Sequence, residues 1–126
     1  MNIVKIALYA LVAVFLSLAA FARVNGFEGT WVGTAELPDQ TIDEVTVVLV
    51  KAETGYTGKV SDGLGVLVPE TPLTQASYDG KVVKLVFPDA EGDFITIVLK
   101  PEGEKLVGQW SNEDGESGKV EIARKK

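Results

Sequence analysis

From residue 29 onwards, apolar and polar residues alternate with a period of two, and turn-forming residues interrupt the alternation at short intervals. This pattern is typical of β-strands, and no stretch past Arg23 has the 3.6-residue period of an amphipathic helix. The pattern predicts eight strands, which cover residues 29–36, 42–51, 56–61, 73–78, 81–87, 93–100, 106–111 and 118–124. The chain is therefore predicted to be all-β.

Short turns join nearly all of these predicted strands, and Asp79-Gly80 is the strongest hairpin signal because this dipeptide suits a type I′ turn. Sequential hairpins favour an antiparallel up-and-down β-barrel over a two-layer sandwich, which needs at least one long connection. Closure of the barrel would also remove exposed strand edges. The segment 62–72 contains two glycines and two prolines, and we expect it to fold over one end of the barrel.

In three predicted strands, small residues share one face with a large aromatic ring. The three sets are Trp31 with Gly33 and Ala35, Tyr56 with Gly58 and Val60, and Trp110 with Gly108 and Leu106. A glycine costs a strand roughly 0.5–1 kcal/mol relative to alanine, so each glycine predicts either room for an aromatic ring or a sharp bend. We expect Trp31 and Trp110 to fill the two ends of a narrow core.

The N-terminus has the pattern of a secretory signal peptide. Lys5 supplies a positive charge, residues 6–22 contain no charged side chain, and Ala20 and Ala22 have the spacing that a signal peptidase recognises. The sequence therefore predicts a signal helix over 1–22, a domain over 23–126, and a secreted or periplasmic protein. An uncleaved membrane anchor is the alternative, because the apolar stretch approaches the length of a membrane span.

Composition limits the partners that the protein can bind and the reactions that it can catalyse. Residues 23–126 carry 11 basic and 18 acidic side chains, a net charge of −7 that argues against binding to nucleic acid or, by charge, to an anionic membrane surface. The chain has no histidine and no cysteine, which excludes Ser-His and Cys-His nucleophile pairs and the common zinc sites. We therefore predict a protein that is not an enzyme and that needs no cofactor.

Carboxylates are the remaining candidates for chemistry, and two turns carry polar oxygens at alternate positions. These are Asp89, Glu91 and Asp93 in one turn and Asn112, Asp114 and Glu116 in the other. Calcium takes 6–8 oxygen ligands, but neither turn has the full spacing of a calcium loop, and acidic residues beside glycine are common in hairpins. The sequence predicts plain turns and no metal site, and it places Asp39, Asp43 and Glu44 on a solvated face.

The stretch Gly29-Thr30-Trp31 resembles the Gly-x-Trp of the first strand in lipocalin-like (calycin) β-barrels. In that family a basic residue of the last strand packs over the tryptophan, and the resemblance implies this role for Arg124. The domain is more closely similar to a small bacterial exported β domain that is found alone or ahead of serine-hydrolase domains. This similarity continues through Gly33, "PLTQASYDGKVVKLVFP", "EGEKLVGQW", which contains Gly108, and "GKVEIAR". It implies a non-catalytic binding or accessory role.

Apolar residues at the predicted barrel ends are the candidates for contact with a ligand. They are Trp31, Tyr56, Leu64, Val66, Val68, Phe94 and Trp110. An eight-stranded barrel is just wide enough to be filled by side chains or to hold one small ligand. The first hypothesis is an exported barrel that binds a small hydrophobic ligand. The alternative is a filled barrel that serves as an accessory or protein-interaction domain of the cell envelope.

Overall fold

The computed structural model describes residues 26–65 and 70–126. These residues form one antiparallel sheet of nine strands. The strands are β1 (Gly29–Glu36), β2 (Ile42–Lys51), β3 (Tyr56–Asp62), β4 (Thr71–Pro72), β5 (Gln75–Tyr78), β6 (Val83–Pro88), β7 (Phe94–Glu102), β8 (Lys105–Asn112) and β9 (Ser117–Arg124). The predicted signal helix over 1–22 lies outside the described residues, as do Val66 and Val68.

The strand order across the sheet is β4-β3-β2-β1-β9-β8-β7-β6-β5. The first and last long strands are therefore neighbours at the centre, where Trp31 pairs with Arg124. The two edges are β4 and β5, which are consecutive in the chain. The sheet curls into a half-barrel, with the core on its concave face.

The link between β4 and β5 bridges the two edges of this half-barrel. The Leu73 backbone N–H donates to the Gly58 carbonyl of β3 at 2.9 Å, and the Thr74 N–H donates to the Val86 carbonyl of β6 at 2.7 Å. One short connection thus hydrogen-bonds to both sides of the curled sheet, which draws its edges together and satisfies part of their backbone.

The all-β, antiparallel prediction is confirmed, and each predicted strand has a counterpart whose ends differ by at most two residues. The count differs, because the segment predicted to be irregular contributes β4, a strand of two residues. Pro72 has no N–H to donate, which limits how far this edge strand extends. The described residues contain no helix. Accordingly, none of them belongs to a helix that is long and apolar enough to cross a membrane.

Burial follows the predicted alternation. In β2, for example, Val45, Val47 and Leu49 are buried, whereas Val50 is exposed. Trp31 and Trp110 are buried at opposite ends of the half-barrel, with 4% and 8% of their surfaces exposed. The prediction that both indoles lie inside the core is confirmed.

The inward glycines have a different cause from the aromatic one expected. A Cβ atom at Gly33 would lie 1.9 Å from the Glu121 carbonyl oxygen, and one at Gly108 would lie 1.8 Å from that of Val98. At both positions the backbone of the neighbouring strand occupies the space, which is the signature of a sharply curled sheet. At Gly118 a Cβ would meet both kinds of neighbour, the Glu36 carbonyl oxygen at 1.9 Å and Trp110 Nε1 at 2.6 Å.

Candidate functional site

The Trp31 end of the half-barrel is closed by a buried indole and its partners. The Trp31 Nε1–H donates to the Phe27 carbonyl at 2.9 Å, and the Arg124 guanidinium lies 4.6 Å from the centre of the indole ring. Arg124 also donates to the Gly26 carbonyl at 2.6 Å and to the Glu28 carbonyl. The contact that the resemblance implied for Arg124 is therefore present.

Aromatic packing completes this closed end. The ring of Phe27 meets those of Tyr56 and Tyr78 edge-on, at centroid distances of 6.1 Å and 4.8 Å. The Tyr56 hydroxyl accepts a hydrogen bond of 3.2 Å from the Phe27 N–H. Tyr56 is thus part of the cluster that fixes residues 26–28 across the end of the sheet.

The opposite, Trp110 end holds a cavity of about 500 Å³. Its walls are apolar side chains from the concave faces of seven strands. They include Val45, Val60, Phe87, Ile97, Trp110 and Val120. The Trp110 Nε1–H donates to the Glu36 carbonyl at 2.8 Å, so the indole is held as a wall and its polar atom is already satisfied.

Seven carboxyl side chains line the same cavity, and we call them the acidic mouth. They are Asp43 and Asp62 on the strands and Asp89, Glu91, Asp93, Asp114 and Glu116 in the turns. Among the described residues that line the cavity there is no lysine or arginine. An apolar interior is therefore entered past a region of one charge sign.

Side chain to backbone hydrogen bonds fix the turns of the acidic mouth. Asp89 Oδ1 accepts from the N–H groups of Glu91 at 2.9 Å and Asp93 at 3.0 Å. Asn112 Oδ1 accepts in the same way from two backbone N–H groups in the turn 113–116. Both segments are turns, as the sequence predicts. Within 26–65 and 70–126, no three acidic, histidine or cysteine side chains are grouped so that they could hold a metal ion.

Asp43 is buried in the acidic mouth, with 3% of its surface exposed, so the prediction that it lies on a solvated face is wrong. Its Oδ1 accepts from the N–H groups of Gly63 at 3.1 Å and Leu64 at 3.0 Å. Its carboxyl group also hydrogen-bonds to that of Asp62. A hydrogen bond between two carboxyl groups requires that one of them keep its proton.

Burial is the first cause of the raised pKa of Asp43. Loss of water around the Asp43 carboxylate, the hydrogen bond with Asp62 and the charge of Asp62 together raise the pKa of Asp43 from 3.8 to about 6. The two N–H groups of Gly63 and Leu64 oppose this shift, because they stabilise the charged form. Asp43 thus gains a proton as the protein folds at mildly acidic pH.

We expect Asp43→Asn to remove one component of the pH dependence of stability. Between about pH 4 and pH 6 the folded state holds a proton that the unfolded chain has released, so this group makes the free energy of unfolding fall as pH rises. The asparagine keeps an oxygen for Gly63 and Leu64 and offers an N–H to Asp62. The variant should therefore melt at a higher temperature than the parent above about pH 7 and at nearly the same temperature near pH 4.

The comparison of variants at each pH isolates this pair from other carboxyl groups. Hydrogen bonds lower the pKa of Asp39 and of Asp79, so those turns contribute with the opposite sign in both proteins. Glu44→Gln, on the exposed face of the same strand, is the matched control. Equal melting temperatures of parent and Asp43→Asn at every pH would contradict a protonated Asp43 in the folded state.

The predicted ligand residues lie in different parts of the structure. Trp110 lines the cavity, whereas Trp31 and Tyr56 belong to the closed end. Leu64 and Phe94 are at the Trp110 end but are exposed and do not line the cavity. The structure does not, therefore, bring these five residues into one site.

The cavity walls were missed as candidates, although the sequence contained the signal for them. Val45 and Val60 lie on the buried face of their strands, and the same parity places Asp43 and Asp62 at the ends of those faces. A carboxyl group on the same strand face as buried apolar residues, at the end of that strand, is expected where the core meets water. Alternation shows which strand face each carboxyl group shares, and the pairing of β2 with β3 then brings the two groups together.

A second cavity, of about 600 Å³, lies beside the closed end. It is lined mostly by the turn 101–105 and the last four residues of the sequence, with Phe27, Trp31 and Leu106 as its buried side chains. Four of its twelve lining residues are basic, namely Lys105, Arg124, Lys125 and Lys126. The cavity at the Trp110 end is the better candidate, because apolar walls surround it on several strands.

No model of a known protein family matches the chain, and no curated protein sequence matches it either. Function is therefore inferred from the geometry of the cavity and of its acidic mouth.

Proposed function

We propose that this protein is an exported, non-catalytic, lipocalin-like barrel that binds a small apolar ligand in the cavity at the Trp110 end. The observation that carries the proposal is the cavity itself, about 500 Å³ in volume and walled by the side chains of the concave face. Small-molecule sites commonly have volumes of about 300–1,000 Å³ and mainly apolar walls. The N-terminal segment 1–22 is proposed to direct export.

The arrangement of the two ends supports binding from one side only. The Trp31 end is closed by indole, guanidinium and backbone groups that satisfy one another. Among the described residues, turns and strand ends surround the opening at the Trp110 end, and the cavity walls continue into the acidic mouth. A ligand would therefore enter past the acidic turns and contact Trp110, while Trp31 would keep its surroundings.

The available carboxyl groups favour a binding role over a catalytic one. Asp89 and Asn112 use their oxygens to fix turns, and Asp43 uses one oxygen to hold two backbone N–H groups. No histidine or cysteine occurs in the sequence to serve as a nucleophile or its base. Acyl transfer by a Ser-His or Cys-His pair is thus unavailable to this chain.

Binding of a neutral apolar dye tests this function, and the neutral form is chosen so that the acidic mouth neither attracts nor repels it. We expect N-phenylnaphthylamine to gain fluorescence with the purified protein and to quench Trp110 emission, measured in a Trp31→Phe background. Ile95→Trp should abolish uptake, because residue 95 lines the cavity and an indole there would occupy it. Val98→Trp is the control, since Val98 is 40% exposed on the outer face of the same strand.

Two results would overturn the proposal. One is the absence of dye uptake by the folded monomer, which would favour the accessory or protein-interaction role in the cell envelope. The other is equal uptake by Ile95→Trp and Val98→Trp, which would place the dye outside the cavity. Circular dichroism of each variant shows that the sheet is intact before uptake is compared.

A further inference from the structure

We propose that the ligand of this cavity is an amphiphilic cation, with an apolar body inside the cavity and a positively charged group at the acidic mouth. This inference rests on the proposed function and names the chemical class of its ligand. It depends on two features that coincide: an apolar interior of about 500 Å³ and an entrance at which every ionisable residue of the described lining is acidic.

The strand ends and turns of the Trp110 end supply these acids from separate parts of the sequence. Asp62 ends β3, Asp93 precedes β7, and Asp114 lies in the turn before β9. Curling of the sheet gathers them around one opening. Each further carboxylate makes it more costly for an anionic group, and less costly for a cationic one, to take the place of water there.

The carboxyl groups of the mouth influence one another through space. The pKa of Asp93 is raised, first by loss of water and then by the negative charges of Asp89 and Glu113. Asp43, almost fully buried where the mouth meets the walls, has a carboxyl group that is hydrogen-bonded to that of Asp62. A cationic group at this position would relieve the repulsion among these acids, whereas an anionic group would increase it.

The spread of the acids favours an organic cation over a metal ion. Calcium needs several oxygens converging on one point, and no three ligating side chains converge in the described ranges 26–65 and 70–126. Asp89 Oδ1 is already occupied by two backbone N–H groups. A substituted ammonium group needs only a negative potential and apolar surface beside it, and both are present here.

Competition among three probes of equal chain length tests this ligand class. Decyltrimethylammonium, decanol and decanoate are each titrated against bound N-phenylnaphthylamine at low salt and neutral pH. The two ionic compounds are kept below their micelle concentrations, and decanol is kept below its solubility limit. We expect the ammonium compound to act at about one tenth of the decanol concentration, and decanoate to require about ten times more than decanol. Added salt should narrow both differences, because it screens the mouth.

A double variant, Glu91→Gln with Asp114→Asn, connects the preference to the mouth. Both side chains line the cavity, while the hydrogen bonds that hold their turns come from Asp89 and Asn112. The affinity for decyltrimethylammonium should fall about tenfold, and dye uptake should be unchanged. Glu53→Gln with Glu102→Gln makes the same change of net charge at the Trp31 end and should leave the preference intact.

The outcomes separate this inference from the proposed function. If the neutral dye binds but the three probes compete equally, the cationic ligand is disproved and the apolar cavity stands. The same holds if the distant double variant loses the preference as much as the mouth variant does. If the neutral dye does not bind at all, the proposed function fails as well. Tighter competition by decanoate than by decanol would reverse the assigned charge.

Discussion

Trp31→Ala is expected to lower the free energy of unfolding by about 3–5 kcal/mol, the range typical of large aromatic truncations in a core. The side chain is 4% exposed, so its removal leaves a cavity that the surrounding strands cannot fully close. It also leaves the Phe27 carbonyl without its donor and the Arg124 guanidinium without the ring beneath it. Urea denaturation followed by circular dichroism measures the loss.

Two variants give this prediction its controls. Val32→Ala changes the next residue, which is 38% exposed on the outer face of the same strand, and should cost less than about 1 kcal/mol. Trp31→Phe keeps a ring in the core and should lie between the parent and the alanine variant. A Trp31→Ala protein that unfolds at the same urea concentration as the parent would show that this indole does not support the core.

Gly108→Ala is expected to cost about 3 kcal/mol, at the upper end of the usual penalty for overpacking. The new methyl group would lie 1.8 Å from the Val98 carbonyl oxygen and 2.9 Å from the Leu99 Cα. These are backbone atoms of the paired strand, so the contact can be relieved only by moving β7 away from β8. The small gain in strand preference of alanine over glycine does not offset this movement.

Gly63→Ala is the matched control for Gly108→Ala. At Gly63 the nearest atom to a new Cβ is the Glu44 Cβ at 3.7 Å, an ordinary contact, and the backbone is outside the left-handed region. The variant should unfold within about 0.5 kcal/mol of the parent. Similar losses for Gly63→Ala and Gly108→Ala would contradict this explanation, because a methyl group at Gly63 meets no backbone atom of a neighbouring strand at such a short distance.

The two tryptophans at the ends of the half-barrel have different roles, although both occur in a Gly-x-Trp sequence. Trp31 hydrogen-bonds four residues back along the chain, to Phe27, and is covered by Arg124. Trp110 hydrogen-bonds to Glu36, which is 74 residues away, and forms a wall of the cavity. Loss of Trp31 should therefore affect stability more than ligand contact, and loss of Trp110 should affect both.

Much of this fold is determined by local sequence. A period of two decides which side chains of a strand face the core, so Trp31, Ala35 and Trp110 were assigned correctly to the inside. Turn residues such as Asp79-Gly80 and Asp89 make hydrogen bonds within a few residues, so the ends of the strands could be predicted within two residues. The absence of histidine and cysteine is likewise a property of the sequence alone.

The candidate site was decided by contacts between distant residues. Alternation shows that Asp43 shares a face with Val45, but only the pairing of β2 with β3 brings it to Asp62. The same holds for Gly108, whose role depends on the carbonyl of Val98 in another strand. No local pattern predicts which backbone atom a neighbouring strand will place beside a glycine.

The sequence by itself thus determined the strands, their buried faces, the turns and the excess of acidic residues. The tertiary structure decided that acids from four separate turns and strand ends meet at one opening, and that the other end is closed by Trp31 and Arg124. The physical reason is the sequence distance over which each kind of interaction acts. Alternation and turn chemistry act over a few residues, whereas strand register and curling join groups that lie tens of residues apart, such as Trp110 and the Glu36 carbonyl.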